Sequence, residues 1–190
     1  MSYKNVKNLT DDFTTLGHIA WLWANSPLHK EWSISLFTKN ILPAIQHDQY
    51  ILLMRDEFPV AFCSWANLTL TNEVKYVRDV TSLTFEDWNS GERKWLIDWI
   101  APFGDNNTLY RYMRKKFPNE VFRAIRVYPG STEAKIIHVQ GGQINKFTAK
   151  KLIQQYQEEL IQVLNNHKKN CKRIKYEYLV KHVSRLKKKG

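Results

Sequence analysis

The stretch Arg93–Asp105, RKWLIDWIAPFGD, holds one carboxylate, Asp98, in an apolar run between Trp95 and Trp99. An ionised acid among apolar neighbours costs free energy unless it is paired, so Asp98 needs a partner or a displaced pKa. Pro102 and Gly104 turn the chain soon afterwards, which sets Asp98 close to a strand end, where functional side chains are often built. His29 is the second candidate. It follows Ser26, Pro27 and Leu28 in a break between two helical patterns and is flanked by Trp23 and Trp32. Imidazole is the side chain suited to proton transfer near neutrality. Each residue also has a plainer reading: Asp98 satisfied by a buried arginine or a backbone amide, His29 an incidental loop residue. Of the other histidines, His18 lies beside an apolar stripe and reads as packing. His47, His167 and His182 have polar surroundings and read as solvated, and His138 alternates with Ile136 and Ile137 as a core or edge residue.

The elements that must position these groups follow from hydrophobic periodicity. Phe13–Asn25 reads as an amphipathic helix with Asp11 or Asp12 as its cap, ended by Ser26-Pro27. Ser33–Ile45 reads as a second helix weakened in its last turn by Pro43. Tyr50–Arg55 and Pro59–Ala66 form an antiparallel pair across a short polar link, and Asn72–Arg78 fits either a strand or a short helix. Thr84–Trp88 is a turn or one helical turn. Strict alternation in the next strand sends Trp95, Ile97 and Trp99 to one face and Leu96, Asp98 and Ile100 to the other. A helix over Asn106–Lys116 precedes strands at Glu120–Tyr128 and Lys135–Gln140, separated by a Pro129-Gly130 turn, and a long helix covers Asn145–Asn166. This order predicts a single α+β domain over residues 1–164, a sheet covered by helices, with a basic extension over 165–190.

Composition narrows the function classes. Of the 190 residues, 43% are hydrophobic and 13% aromatic, which argues against disorder over most of the length. The N-terminal MSYKNVKNLTDD has no apolar secretion core and no apolar run is long enough to span a bilayer. Cys63 and Cys171 form no disulfide framework or metal pattern, so reduced thiols and a cytoplasmic location are expected. The net charge of +11 resides mainly in residues 165–190, which hold ten basic residues and one acid, Glu177, while the body is nearly neutral. Nucleic-acid binding therefore has no support beyond a charged tail. In that tail Tyr176, Leu179, Val180, Val183 and Leu186 keep helical spacing. It is suited to an anionic membrane surface or an acidic partner, or else is a plain solvated extension.

SPLHKEW (Ser26–Trp32), NILPAI (Asn40–Ile45), AFCSWANL (Ala61–Leu68), DWIAPFGD (Asp98–Asp105) and FRAIRV (Phe122–Val127) occur in that order. Together these strings resemble the toxin-activating lysine acyltransferases, the haemolysin-type activators of RTX toxins in Gram-negative bacteria, from about Leu16 to Leu164. The resemblance implies a sheet similar to that of GNAT-type N-acyltransferases. It also implies transfer of a long acyl chain from fatty-acyl carrier protein to internal lysines of an RTX protoxin, with no bound cofactor, in the cytoplasm and as a homodimer. His29 and Asp98 match the residues required for acyl transfer in that family, and Ser26 matches as a positioning group.

That chemistry needs a base, because a lysine amine with a pKa of about 10.4 is mostly protonated near neutrality. His29 as base with Asp98 orienting it, Asp98 holding the incoming ammonium, and His29 as acyl-accepting nucleophile all remain open. Only Gly141-Gly142 approaches the glycine-rich phosphate loop of coenzyme A users, without matching it. An acidic carrier protein calls for a basic docking patch, for which Arg111, Arg114, Lys115, Lys116, Arg123 and Arg126 are the candidates. Trp21, Trp23, Trp65, Trp95, Trp99 and Phe103 are candidates for an acyl channel, with ordinary core packing the plainer reading. No metal-ligand spacing is present. The rival function is a non-catalytic chaperone or adaptor that grips an acidic partner with the basic tail, and an acyl-CoA N-acetyltransferase is a third.

Overall fold

Two neighbouring strands that pair for only part of their length set the architecture of this chain. The computed structural model describes residues 9–127 and 134–167. The Pro129-Gly130 turn, Cys171, His182 and the tail pattern from Tyr176 to Leu186 lie outside the described residues. In chain order the elements are α1 (Leu9–Asn25), α2 (Ile34–Gln46), β1 (Tyr50–Arg55), β2 (Phe58–Leu68) and α3 (Leu70–Arg78). A single 3-10 turn (Glu86–Trp88), β3 (Arg93–Ile100), α4 (Asn106–Lys116), β4 (Val121–Val127), β5 (Ala134–Gln140) and α5 (Lys146–His167) follow. The fold is α+β, with one sheet ordered β1-β2-β3-β4-β5. All neighbouring pairs are antiparallel except β3 with β4, which are parallel.

Local chemistry accounts for most boundaries. α2 is capped by Ser33, whose hydroxyl accepts from the Leu36 amide at 3.3 Å. Thr69 does the same for α3 through the Asn72 amide at 3.2 Å, which settles the ambiguous Asn72–Arg78 segment as helix. α1 begins at Leu9, so Asp11 and Asp12 lie within the helix rather than capping it. β2 is central and buried along almost its whole length, in keeping with its mostly apolar sequence. Helices α1, α2, α3 and α5 cover one face of the sheet, and α4 covers the other through Leu109 and Met113.

The alternation expected for β3 fails at one point. Ser64 pairs with Asp98 and Trp65 with Leu96, so Ile97 is an extra residue, a β-bulge. Beyond it the faces invert relative to simple alternation. Trp95 packs in the cluster under α3 and α5, Ile100 packs under α1 and α2, and Trp99 joins Leu96 on the α4 side. Trp95 and Trp99 therefore point to opposite faces, and Asp98 is turned toward α1 and α2.

Strands β3 and β4 pair only through Lys94 with Phe122, Trp95 with Arg123 and Leu96 with Ala124. At this paired end the fully buried Glu73 of α3 binds Arg93 of β3 at 3.0 Å and also Arg123 of β4. Arg93 additionally pairs with Glu159 of α5, and the Arg93 and Arg123 guanidinium groups both lie over the Tyr156 ring. Burial lowers the Arg123 pKa, and the Glu73 carboxylate opposes that shift. Removing one side of such a buried cluster strands the other charges. Glu73→Ala should cost about 3–5 kcal/mol in urea unfolding. Arg111→Ala, on the exposed face of α4, should stay within about 0.5 kcal/mol of the parent.

Candidate active site

Ser26 ends α1 because the residue before a proline is pushed out of helical geometry. The next turn is held by backbone bonds from the His29 and Lys30 amides to the Ser26 carbonyl, at 3.1 and 3.0 Å, and from the Trp32 amide to the His29 carbonyl, at 2.8 Å. This turn carries the His29 ring inward between two indoles, Trp23 at 4.9 Å and Trp32 at 4.6 Å between ring centroids. Both ring nitrogens have partners. Nδ1 lies 2.7 Å from the Ser26 hydroxyl and Nε2 lies 3.3 Å from Asp98 Oδ1. His29 and Asp98 are 3% and 4% exposed, so the pair is shielded from bulk water.

These contacts fit an imidazolium that donates from Nδ1 to Ser26 and from Nε2 to Asp98. In the neutral ring the carboxylate, which only accepts, favours Nε2–H donating to Asp98 Oδ1, and Nδ1 then accepts from the Ser26 hydroxyl. Asp98 thus favours one tautomer, and the same carboxylate stabilises the protonated form. At 3.3 Å the Nε2–Asp98 contact is longer than a tight charge-assisted bond of about 2.7–2.9 Å.

The pair opens into a cavity of about 620 Å³, within the range of small-molecule sites. Its walls come from both faces of the sheet: Leu28, His29, Trp32 and Tyr76 on the α2–α3 side, and Trp99, Asn106, Tyr110 and Arg126 on the α4 side. The cavity passes through the sheet where β3 and β4 part. Burial and the Asp98 charge push the Tyr76 phenol above its ordinary pKa, so this wall residue stays a neutral hydroxyl. His138, also in the wall, has its pKa lowered by burial and by the charge of Arg123, which favours its neutral ring.

The docking arginines divide. Arg111 and Lys115 are exposed on α4, and Arg126 is exposed at the cavity rim. Arg114 is drawn back to the Gln140 and Gly141 carbonyls at 3.1 and 3.4 Å. Arg123 is corrected outright: it is 2% exposed and bound to Glu73, so it presents no charge to a partner. Among the candidate channel aromatics only Trp99 lines the cavity. Trp23, Trp65 and Trp95 are buried core, while Trp21 and Phe103 are exposed. His47 is not simply solvated, since it stacks on Phe85 and its Nε2 meets the Phe85 carbonyl at 3.2 Å. Tyr76, His138 and Trp32 are wall residues that sequence reasoning did not single out. Gly141 packs against the Phe117–Pro118 backbone so closely that a Cβ would overlap it, which explains this glycine without a phosphate. Among the described residues no group of three or more His, Cys, Asp or Glu side chains could hold a metal ion.

The family model described as the RTX toxin acyltransferase family matches residues 8–140. The chain belongs to the RTX toxin acyltransferase family. It is 62% identical over 156 residues to a leukotoxin-activating lysine-acyltransferase of Aggregatibacter actinomycetemcomitans, covering 82% of this chain and 93% of that protein. A protein-lysine myristoyltransferase of Escherichia coli is 61% identical over 154 residues, covering 81% of this chain and 91% of the relative. An RTX-II toxin-activating lysine-acyltransferase of Actinobacillus pleuropneumoniae is 56% identical over 157 residues, covering 82% and 98%. The matched span of this RTX toxin acyltransferase includes His29, Asp98 and the walls of the cavity.

Two outcomes follow from the geometry. Ser26→Ala should lower the rate of acyl transfer about tenfold without abolishing it, because the ring keeps Asp98 but loses the hydroxyl that holds Nδ1. Single-turnover assays at fixed enzyme concentration would check this. For His138, the unfolded chain takes up a proton near pH 6.5 that the folded chain resists, so stability falls as pH drops below that value. Thermal melts of His138→Gln between pH 7.5 and 5.5 should show a shallower loss than the parent.

Proposed function

We propose that this protein transfers a fatty acyl chain from acyl carrier protein to the ε-amine of internal lysines of an RTX protoxin. The observation that carries this reading is the shielded His29–Asp98 pair opening into a cleft that crosses the sheet, in a member of the RTX toxin acyltransferase family. The ε-amine, in its neutral form, attacks the thioester carbonyl, and as the C–N bond forms the His29 imidazole takes the proton that the nitrogen sheds; the C–S bond then breaks. The thiolate of the carrier's phosphopantetheine arm leaves and takes a proton back from the imidazolium, which restores neutral His29. Asp98 stabilises the imidazolium between these steps.

Walls on both faces of the sheet suit two macromolecular substrates. On the α4 side, Arg111, Lys115 and Arg126 present positive charge to an acidic carrier, whose arm would enter between β3 and β4. The protoxin lysine enters on the opposite side, beside Leu28 and Trp32. The apolar walls, including Ile97, Trp99 and Ile137, accommodate the acyl chain. We further propose a cytoplasmic location and a homodimer, with the basic extension 165–190 in contact with an acidic partner or membrane surface.

The test is incubation of the full-length protein with myristoyl- or palmitoyl-loaded carrier protein and protoxin, followed by mass analysis of lysine adducts. His29→Ala should lose about 10²–10⁴-fold in rate, the worth of general base catalysis, and Asp98→Asn should fall with it. Arg111→Glu with Arg126→Glu should raise KM for the carrier several-fold, leave kcat nearly unchanged, and weaken the salt dependence of binding. A stable stoichiometric complex with no adduct at any chain length would overturn catalysis in favour of an adaptor.

A further inference from the structure

Ser64 lies at the centre of the sheet and is 0% exposed, yet its hydroxyl has no hydrogen-bond partner among the described residues. It stands directly opposite Asp98 in the β2–β3 register. Asp98 Oδ1 faces His29, while Oδ2 is buried and also without a partner among the described residues. Two residues further along, the paired Phe62 and Ile100 both pack under α1 and α2, so Ser64 and Asp98 point to that same face. Side chains directly opposed in an antiparallel pair have Cβ atoms about 4.5–5.5 Å apart. One staggered turn of the serine side chain, or one intervening water, spans what remains.

A buried hydroxyl and a buried carboxylate oxygen, each costly alone, satisfy one another if the hydroxyl donates. The bulge at Ile97 belongs to the same arrangement, because it is what turns Asp98 onto the face that Ser64 occupies. Alanine would fill the same space as serine to within one oxygen, so packing alone gives the hydroxyl no purpose. We infer that Ser64 is a positioning residue for Asp98, its hydroxyl holding Oδ2, directly or through one water, so that the ionised carboxylate keeps Oδ1 on His29.

This inference deepens the proposed function and rests on Asp98 acting through His29. The titratable groups facing Asp98 are His29 from the α1–α2 loop and Tyr76 from α3. The phenol stays protonated through the neutral range, so titration there reports the His29–Asp98 pair. Loss of a donor to the carboxylate disfavours the deprotonated pair and raises its apparent pKa.

The experiment titrates the His29 ring by nitrogen NMR in the parent, Ser64→Ala and Ser64→Thr, beside the pH profile of kcat/KM for acyl transfer. Ser64→Ala should melt close to the parent, shift the apparent pKa up by about one pH unit, and lose about tenfold in kcat/KM on the acid limb. Ser64→Thr, which keeps the hydroxyl, should restore both readouts. If threonine does not fit, Ser64→Cys, near serine in size and a weak donor, should fall between the parent and alanine. An unchanged His29 titration in folded Ser64→Ala overturns the inference, as does collapse of the fold in that variant. Should the parent transfer no acyl group while the NMR shift still appears, the proposed function fails and the Ser64 contact stands.

Discussion

Glu73 is the point on which the sheet turns. Its carboxylate, fully buried, binds one arginine from β3 and one from β4. Those strands are parallel neighbours that share only three residue pairs. Two strands that separate so early expose backbone and apolar side chains to the gap, and something must hold the paired end against splaying further. The ion cluster does this where the backbone ladder is shortest, and α5 adds Glu159 and Tyr156 to the same clamp. A buried cluster is seldom more stabilising than an apolar replacement, so its value here lies in fixing which strands meet and where they part. The cavity is the consequence. It begins where the clamp ends.

The second consequence is the position of Asp98. A regular β3 would alternate strictly, and Leu96, Asp98 and Ile100 would share one face. With the extra residue at Ile97, Leu96 stays on the α4 side while Asp98 and Ile100 turn toward α1 and α2. Among the described residues, that side is where a histidine meets it. His29 in turn depends on Pro27, which stops α1, and on the two indoles that exclude water around the ring. Four local features on two separated segments therefore converge on one contact of 3.3 Å.

Much of this was legible in the residues. Strands β1 and β2 and helix α4 carry clear periodicity, and their observed spans agree with it to within about two residues. The Asn72–Arg78 segment was ambiguous because its alternating Val74, Tyr76 and Val80 suggested a strand, while the Thr69 cap that decides for helix lies outside that window. The bulge was illegible in principle, since an extra residue exists only relative to a partner strand. Arg123 was a different kind of miss. Positions 123 and 126 are an odd number apart in one strand, so period-two alternation already places them on opposite faces and allows only one to serve an external partner. The site residues His29, Asp98 and Ser26 do converge, but nothing in their spacing showed it. His29 and Asp98 are 69 residues apart in the chain.

The geometry also bears on how His29 would act in the proposed reaction. With Nε2–H donating to Asp98 Oδ1, Nδ1 is the atom left to act, and the Ser26 hydroxyl stands 2.7 Å from it. As an acyl-accepting nucleophile, Nδ1 would have to exchange that hydroxyl for the much larger acyl group. As a base, the ring gains only a proton, and the contact of Nε2 with Asp98 strengthens from dipolar to ionic as charge develops, which is where stabilisation accelerates a reaction.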